Sequence, residues 1–313
     1  MSRLVEEFLE LVQIDSETKH EEVIAPILKD KLEQLGFTVV EDDSASKTGH
    51  GSGNLIATLK GSNANVDPIY FTVHMDTVVP GKGIKPVIKE DGYIYSDGTT
   101  ILGADDKAGI AALFEAIRRL KEQSLKHGDI QVVITAGEES GLVGAKELDA
   151  SLLTAKYGYA IDSDGTVGGI VTAAPFQSKL WTTITGKTAH AGVAPEKGIS
   201  AITLASKAIS AMKLGRLDAE TTANIGRFEG GQATNIVCDE VHILSEARSI
   251  KKEKLDAQVA HMVATFAETA EKFGGKAVTE TQLMYPGFHF EEEHAVVQVA
   301  KRAVERIGRT AEI

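Results

Sequence analysis

The sequence lacks the features of secreted, nucleic-acid-binding and membrane proteins. One cysteine, Cys238, occurs in 313 residues, which excludes an internal disulfide and predicts a reducing, cytoplasmic location. Lys and Arg total 33 against 45 Asp and Glu, a net charge of -12 without any basic run, so a nucleic-acid partner is not expected. No stretch approaches the roughly twenty apolar residues that a membrane span needs, so a membrane partner is not expected either.

The pattern of apolar residues indicates two globular domains. The hydrophobic content of 42% is ample for two cores in a chain of this length. As far as Asp162, strand-like runs alternate with helical patterns, which predicts an α/β domain with a mixed, mainly parallel sheet. From about Ala173, half-polar strands and two helices predict a small inserted α+β domain of the split βαβ, ferredoxin-like kind. We expect a first domain built from 1–173 and 286–313, interrupted by 174–285.

One apolar, β-branched run, 130–135, leads into a glycine-flanked pair of acids, Glu138 and Glu139. Neighbouring carboxylates repel each other, so two of them at the mouth of a buried strand are unfavourable unless a cation or a proton compensates. The ordinary alternative is a solvated loop whose acids have no task. The pair therefore indicates a site only if other strand ends supply partners.

Other predicted strands and loops in the same half of the chain do end in side chains that can bind metal. His74 and Asp76 follow a strand at period-two spacing, which puts them on the same side of an extended chain. Asp105 and Asp106 stand at a predicted helix N-terminus, where the helix dipole favours negative charge. Asp162 ends a further strand. Singly, each position has an ordinary alternative as surface decoration, an N-cap or the start of a turn.

Jointly, these positions predict one site, because ligands of open α/β sheets gather at the carboxyl ends of the strands. A histidine can bind a metal through one ring nitrogen while a carboxylate orients the other. Oxygen and imidazole groups at successive strand ends match a carboxylate-rich site for zinc or a similar divalent ion.

These motifs, which run in order over nearly the whole chain, resemble the M20 family of co-catalytic zinc peptidases. Within that family the resemblance is to the tripeptide aminopeptidases of the peptidase T-like group. As a set the motifs are specific, whereas the substrate subclass is much less so. The segments that carry the resemblance are His74–Asp76, Leu102–Gly109, Ala136–Gly141, Ile161–Asp162 and Gly186–Gly192.

The resemblance implies two divalent metal ions, expected to be zinc, with cobalt or manganese as alternatives. His74 and Asp162 would hold one ion, Glu139 would hold the other, and Asp105 would bridge the two. Asp106 is the competing candidate for the bridge. Such a pair of ions polarises the scissile carbonyl and acidifies a water molecule.

The resemblance also implies different roles for the two remaining acids, Asp76 and Glu138. Asp76 would orient His74. Glu138 would be the general base that takes a proton from the water and passes it to the leaving amine. A base must lie near the water without binding the metals, so adjacent glutamates with different tasks are physically sensible.

The inserted domain contributes through the same resemblance, as a lid and as the surface of a homodimer. His190 resembles the family histidine that reaches a neighbouring active site across the dimer interface and steadies the tetrahedral intermediate. Asn235 and Arg248 resemble substrate-binding positions, with Arg248 suited to bidentate capture of a carboxylate. The ordinary alternatives are an exposed turn histidine for His190 and a surface ion pair for Arg248.

One departure concerns the C-terminus, where family members carry a last metal-binding histidine. This sequence ends at Ile313 without a match, and His289 is only the least implausible substitute. We expect the chain to be a fragment of a longer protein, because the first domain would otherwise lose its last strand and leave an open sheet edge. The alternative is a metal bound one ligand short, on the Glu139 side.

These inferences predict a metal-dependent hydrolase that removes the N-terminal residue from short peptides. Two alternatives stay open. The first is an M20-type amidohydrolase, deacylase or carboxypeptidase that uses the same metals on another amide. The second is a metal-free binding or assembly module that retains the fold.

Overall fold

The computed structural model describes residues 1–313 and divides the chain into two compact units, Met1–Thr166 and Val167–Ile313. The domain boundaries proposed from the sequence, at 173/174 and 285/286, stay a prediction. No helix combines the length and the apolar character needed to cross a membrane.

The first unit contains a mixed sheet, as predicted. Its strands are β1 (Thr38–Glu41), β2 (Leu55–Leu59), β3 (Ile69–His74), β4 (Val87–Ile88), β5 (Ile94–Tyr95), β6 (Ile130–Thr135) and β7 (Gly158–Ala160). Five of them form one sheet in the order β1-β2-β6-β3-β7, while β4 and β5 pair as a separate hairpin. The β1–β2 and β2–β6 pairs are antiparallel, and the β6–β3 and β3–β7 pairs are parallel. Strand β6 is central and buried along its length, which explains why its residues are mostly apolar and β-branched.

The helices of the first unit cover this sheet. They are α1 (Arg3–Val12), α2 (Ile24–Gln34), α3 (Ser44–Thr48), α4 (Ala104–Glu122) and α5 (Val143–Lys146). The Ser2 hydroxyl caps α1 by accepting from the Val5 N–H, and Leu11 and Val12 are fully buried on its inner face. The periodic apolar residues of α4, among them Ile110 and Phe114, join the same core. This core lies under the strands whose ends carry the predicted ligands.

The second unit combines strands and helices. Its elements are β8 (Ala173–Ala174), β9 (Phe176–Thr185), α6 (Ala201–Ala211), β10 (Gly215–Arg216), β11 (Thr221–Gly230), β12 (Glu240–Ser249), α7 (Lys252–Lys272), β13 (Lys276–Tyr285), β14 (Phe288–His289) and α8 (Ala295–Arg306). Five of the strands form an antiparallel sheet in the order β10-β11-β12-β9-β13, with α6 and α7 packed against it. Leu180, Ile184, Leu255 and Phe266 lie in its core. With the first unit, this α+β unit confirms the predicted fold class.

Strand β13 is the longest element that the sequence did not predict. It pairs antiparallel with β9 at the edge of the sheet, and most of its residues are half-buried or exposed. An exposed edge strand whose polar and apolar residues do not alternate gives only a weak strand signal. His289 lies in β14, opposite Ala173.

Candidate metal centre

Three strand ends of the first unit meet at one edge of its sheet. Strands β3 and β6 are parallel, with His74 opposite Thr135. The chain leaving β7 stays beside β3, because the Ile161 N–H donates to the Thr72 carbonyl oxygen at 3.0 Å. The side chains that follow these strands therefore emerge on the same side of the sheet, as expected for an α/β ligand site.

His74 lies at the centre of this edge and is 2% exposed. Its Nε2 lies 2.8 Å from Asp105 Oδ1 and 3.8 Å from Asp162 Oδ2. Its Nδ1–H donates to the main-chain carbonyl oxygen of Asp76 at 2.9 Å, whereas the Asp76 carboxylate is 3.5 Å away. The main-chain oxygen of Asp76 is thus the nearer orienting acceptor, and Nε2 is the nitrogen that faces the carboxylates.

The charge state of His74 follows from these neighbours. Burial alone lowers the pKa of His74, but the interactions with Asp76 and Asp105 outweigh burial and raise it to about 10. The imidazolium thus neutralises part of the surrounding acidic charge. A metal ion at Nε2 would take over this positive charge and release the proton.

Asp105 and Asp106 begin α4 with non-helical backbone angles, φ -81° and ψ 107° followed by φ -117° and ψ 29°, and the peptide bond between them is cis. Asp105 reaches His74 Nε2 and its side chain is 70% exposed. Asp106 is 3% exposed, and its Oδ2 accepts the main-chain N–H of His74 at 3.3 Å. Gly109 permits this packing, because a Cβ there would collide with the Asp106 carboxylate and the Ile161 carbonyl oxygen.

Imidazole and carboxylate atoms form two overlapping groups that could each hold a cation. In each group the candidate ligand atoms lie within 4.8 Å of one another. The groups are His74 with Asp105 and Glu139, and His74 with Asp106 and Asp162. Glu138 belongs to neither group, and Asp105 and Asp106 each belong to one.

Negative charge is crowded at this edge. Burial, followed by the charge of Asp162, raises the pKa of Asp106 to about 8. Burial is also the largest cause of the raised pKa values of Glu138, Glu139 and Asp162, and neighbouring carboxylates add to it. Protonation of a carboxylate relieves the repulsion between these groups at a cost in free energy. A divalent cation would relieve the same repulsion directly.

The Asp76 carboxylate connects two of the strand ends. It is fully buried and accepts the Glu138 N–H at 3.0 Å and the Glu139 N–H at 3.2 Å. Burial alone would raise the pKa of Asp76, but the interaction with His74 and the hydrogen bond from the Glu138 amide lower it. Sequence reasoning assigned Asp76 to His74 alone. The contacts with the glutamate amides depend on the fold of a loop more than sixty residues away.

Asn54 closes the base of the loop that carries the two glutamates. Its side chain is fully buried; Oδ1 accepts the Ala136 N–H at 3.2 Å, and Nδ2 donates to the Gly144 carbonyl oxygen at 2.9 Å and to Asp42 Oδ2 at 2.8 Å. A Cβ at Gly144 would collide with the Ala136 carbonyl oxygen, so this close approach requires glycine. The loop 136–144 is therefore fixed at both ends by one side chain.

Sequence reasoning gave no role to Thr18, Asn54 or Lys107, which support the predicted ligands. Lys107 is fully buried, and its Nζ donates to the Ile14 carbonyl oxygen at 2.8 Å. Burial lowers the pKa of Lys107 to about 8. For Lys107 the sequence did contain a signal of a functional role, namely a lysine beside two acids in a glycine-containing motif. For Thr18 it contained none.

The predicted substrate-binding residues His190, Asn235 and Arg248 lie in the second unit. His190 and Asn235 are exposed and belong to adjoining loops, since the Ala191 N–H donates to the Asn235 carbonyl oxygen at 2.9 Å. Arg248 lies on β12, and its Nε donates to Glu246 Oε1 at 2.8 Å. This is the ion pair anticipated as the ordinary alternative for Arg248. Their roles in substrate binding stay a prediction.

Two family models match the chain. The M20 peptidase dimerisation domain matches residues 177–273. Peptidase family M28 matches residues 54–206, a range that contains all the strand-end acids described above. The matches thus cover parts of both units.

Individual relatives match nearly the whole chain. Protein YqjE of Bacillus subtilis (strain 168) is 65% identical, with 99% of this chain and 83% of YqjE covered. The crystal structure of aminopeptidase PepT from Bacillus cereus ATCC 10987 is 64% identical with a TM-score of 0.96, covering 99% of this chain and 83% of that one. A Staphylococcus aureus tripeptidase structure is 53% identical with a TM-score of 0.97 and the same coverage, 99% and 83%. The chain therefore belongs to the M20 peptidase family, in its peptidase T-like group.

Proposed function

We propose that this protein is a metal-dependent aminopeptidase that removes the N-terminal residue from tripeptides and similar short peptides. The observation that carries the proposal is the meeting of His74 with Asp105, Glu139, Asp106 and Asp162, whose ligand atoms form groups within 4.8 Å. The substrate class is supported by relatives described as an aminopeptidase and a tripeptidase, which are 64% and 53% identical to this chain.

The donor set suits two divalent ions. Imidazole and carboxylate oxygens are ligands that zinc shares with cobalt and manganese, and we expect zinc. His74 and Asp162 would hold one ion, Glu139 the other, and Asp105 would bridge them. When bound, such ions polarise the scissile carbonyl and lower the pKa of water. Asp106, which shares a group with His74 and Asp162, is the alternative bridge.

Glu138 is the residue that moves the proton. It stands beside a ligand residue yet belongs to neither ligand group, as a general base requires. Its raised pKa brings the carboxylate closer to the working pH, where it can accept a proton from water and later donate it to the leaving amine. The Asp76 carboxylate accepts the Glu138 N–H, which limits the movement of the general base.

The charge of the site favours a free amino terminus. The ionisable carboxyl groups near His74 outnumber the positive charges of two divalent ions; they are Asp76, Asp105, Asp106, Glu138, Glu139 and Asp162. A substrate ammonium group is attracted to such a site, whereas an N-acyl group brings no compensating charge. This asymmetry supports an aminopeptidase over a deacylase.

The second unit completes the proposal. We infer a homodimer formed through this unit, because the M20 dimerisation domain matches residues 177–273 within it. His190, Asn235 and Arg248 are proposed to bind substrate, and a cytoplasmic location fits the single cysteine. Light scattering tests the dimer. The mass of a monomer at micromolar concentration would contradict it.

The activity is tested with a panel of four substrates. The purified chain, reconstituted with zinc or cobalt, is assayed on a tripeptide, the same tripeptide N-acetylated, the corresponding dipeptide and an N-acyl amino acid. We expect turnover of the free tripeptide with release of its N-terminal residue, and loss of turnover on acetylation. Strong turnover of the N-acyl amino acid with none of the free tripeptide would overturn the proposal in favour of a deacylase.

A further inference from the structure

The segment Ile14–Thr18, between α1 and α2, contacts the loops that carry the candidate ligands; we call it the N-terminal brace. Its Ser16 carbonyl oxygen accepts the Thr77 N–H at 2.9 Å, and the Thr18 N–H donates to the Thr77 carbonyl oxygen at 2.9 Å. Its Ile14 carbonyl oxygen accepts from Lys107 Nζ at 2.8 Å. The brace is thereby fixed to the chain after Asp76 and to the start of α4.

The Thr18 side chain reaches the glutamate loop as well. Its hydroxyl oxygen lies 2.7 Å from Ser140 Oγ, the residue directly after Glu139. The Thr18 N–H is hydrogen-bonded to the Thr77 carbonyl oxygen, so one residue contacts both the segment after Asp76 and the loop after Glu139.

The same loop is held at Glu138 and Glu139, whose amides donate to the Asp76 carboxylate. Asp76 immediately precedes Thr77, the residue to which the Thr18 main chain is hydrogen-bonded. The Thr18 hydroxyl therefore adds a further link between the glutamate loop and the segment 76–77, at Ser140.

We propose that Thr18 is a positioning residue: its hydroxyl fixes the Glu138–Ser140 loop, through Ser140, relative to the segment after His74, and so sets the geometry of the metal ligand Glu139 and the general base Glu138. The proposal rests on the function proposed above and assigns a task to a segment outside the ligand motifs. Thr18 touches neither metal nor substrate in this scheme.

The test compares variants that differ in one atom or group. Thr18→Val keeps the branched shape and removes the hydroxyl, Thr18→Ser keeps the hydroxyl and removes the methyl, and Ser140→Ala removes the loop-side partner. Thr58→Val is the matched control, because that hydroxyl also bonds a side chain, Gln131, but at the start of β6, away from the ligand end.

Two readouts are taken on each variant. The first is the steady-state kcat and KM for the tripeptide. The second is the affinity for zinc, measured by competition with a chromogenic chelator, together with the visible absorption spectrum of the cobalt-loaded protein. Thermal unfolding is recorded so that loss of the fold can be recognised.

We expect Thr18→Val to lower kcat and zinc affinity by about 10- to 100-fold, the usual effect of removing a group that orients ligands, with KM nearly unchanged. Thr18→Ser should restore most of both values. Ser140→Ala should lose a similar amount in kcat and zinc affinity, because it removes the same hydrogen bond from the other side. Thr58→Val should match the wild type in kcat, zinc affinity and cobalt spectrum.

Wild-type kcat and zinc affinity in Thr18→Val would overturn the proposal. So would equal losses in Thr18→Ser and Thr18→Val, since the methyl group would then be responsible. If Thr18→Val does not fold, Thr18→Ser and Ser140→Ala decide, and wild-type kcat and zinc affinity in Ser140→Ala would overturn the proposal. Absence of tripeptide turnover in the wild type would instead reject the proposed function, while zinc affinity would still test Thr18.

Discussion

The two units differ in what they bury. Every buried aspartate, glutamate, lysine and histidine of the chain lies in the first unit: Glu7, Glu21, His74, Asp76, Asp106, Lys107 and Glu115. The buried polar residues of the second unit are all uncharged: Gln177, Ser178, Thr182, Thr221, Ser245, Ser249 and Gln258. Both units have an apolar core, so the need to fill a core does not explain the difference.

Buried charge is expensive unless it is paired, and stability alone seldom favours it over an apolar substitute. The buried acids that contact His74, Asp76 and Asp106, therefore indicate a site built for chemistry. The second unit, with a neutral interior, is built in the way expected of a packing and interface domain. The charges of the first unit that lie away from His74, such as Glu7, are the test of this distinction.

The largest effect is expected when the two glutamates of the loop are exchanged for alanine one at a time. Glu138→Ala should lower kcat by about 10²- to 10⁴-fold because the general base is lost, with metal content retained. Glu139→Ala should lower both activity and metal content because a ligand is lost. Elemental analysis of the reconstituted proteins, alongside tripeptide turnover, separates the two outcomes. Loss of metal in Glu138→Ala with retention in Glu139→Ala would mean that the two roles are reversed.

A smaller effect, on stability alone, is expected at Glu7. This side chain is 5% exposed and pairs with Lys31 and Arg118, which are 17% and 21% exposed. Glu7→Gln should lower the free energy of unfolding by about 2 kcal/mol, less than for a fully buried pair because both cations keep some hydration. Zinc affinity and kcat should stay at wild-type values. A loss of zinc affinity would break the distinction between structural and catalytic buried charge.

The same substitution has a predictable pH dependence. Burial alone would raise the pKa of Glu7, but Lys31 and Arg118 outweigh it and hold the pKa below its ordinary value of 4.5. A group whose pKa is lowered by folding contributes stability above the unfolded value and loses it as the pH falls through the folded value. The difference in unfolding free energy between wild type and Glu7→Gln should therefore be full at pH 7 and shrink below pH 4.5. Urea unfolding at several pH values measures it.

The smallest effect is expected in the second unit, at two buried serines of β12. Ser245 Oγ is buried without a hydrogen-bond partner, whereas the Ser249 hydroxyl lies 3.0 Å from Thr221 Oγ1. Ser245→Ala should raise the free energy of unfolding by about 1 kcal/mol, and Ser249→Ala should lower it by about 1 kcal/mol. Urea unfolding of both variants tests this. Destabilisation by Ser245→Ala as large as that by Ser249→Ala would contradict the expectation.

The sequence was sufficient to predict the alternation of strands and helices in the first unit and the ligand types at its strand ends. Both depend on local patterns: apolar runs for β3 and β6, and acids or histidine directly after them. The choice between Asp105 and Asp106 did not follow from local pattern, because adjacent residues at an irregular helix start can point either way. In the structure each joins a different group with His74.

What the sequence could not supply are contacts between distant segments. Asn54 meets Ala136 and Gly144, and the Asp76 carboxylate meets the Glu138 amide, only because strands remote in sequence are neighbours in the sheet. Such contacts leave no periodic signal. Strand β13 was missed for a different reason, since an exposed edge strand needs no continuous apolar face.

The Thr18–Ser140 hydrogen bond joins residues 122 positions apart, and the Lys107–Ile14 bond spans 93 positions. Closures of that length are entropically demanding and form only after the intervening strands have paired. The helices of the first unit can appear early, but the ligand geometry depends on these last closures. Metal-binding competence should therefore be acquired late in folding.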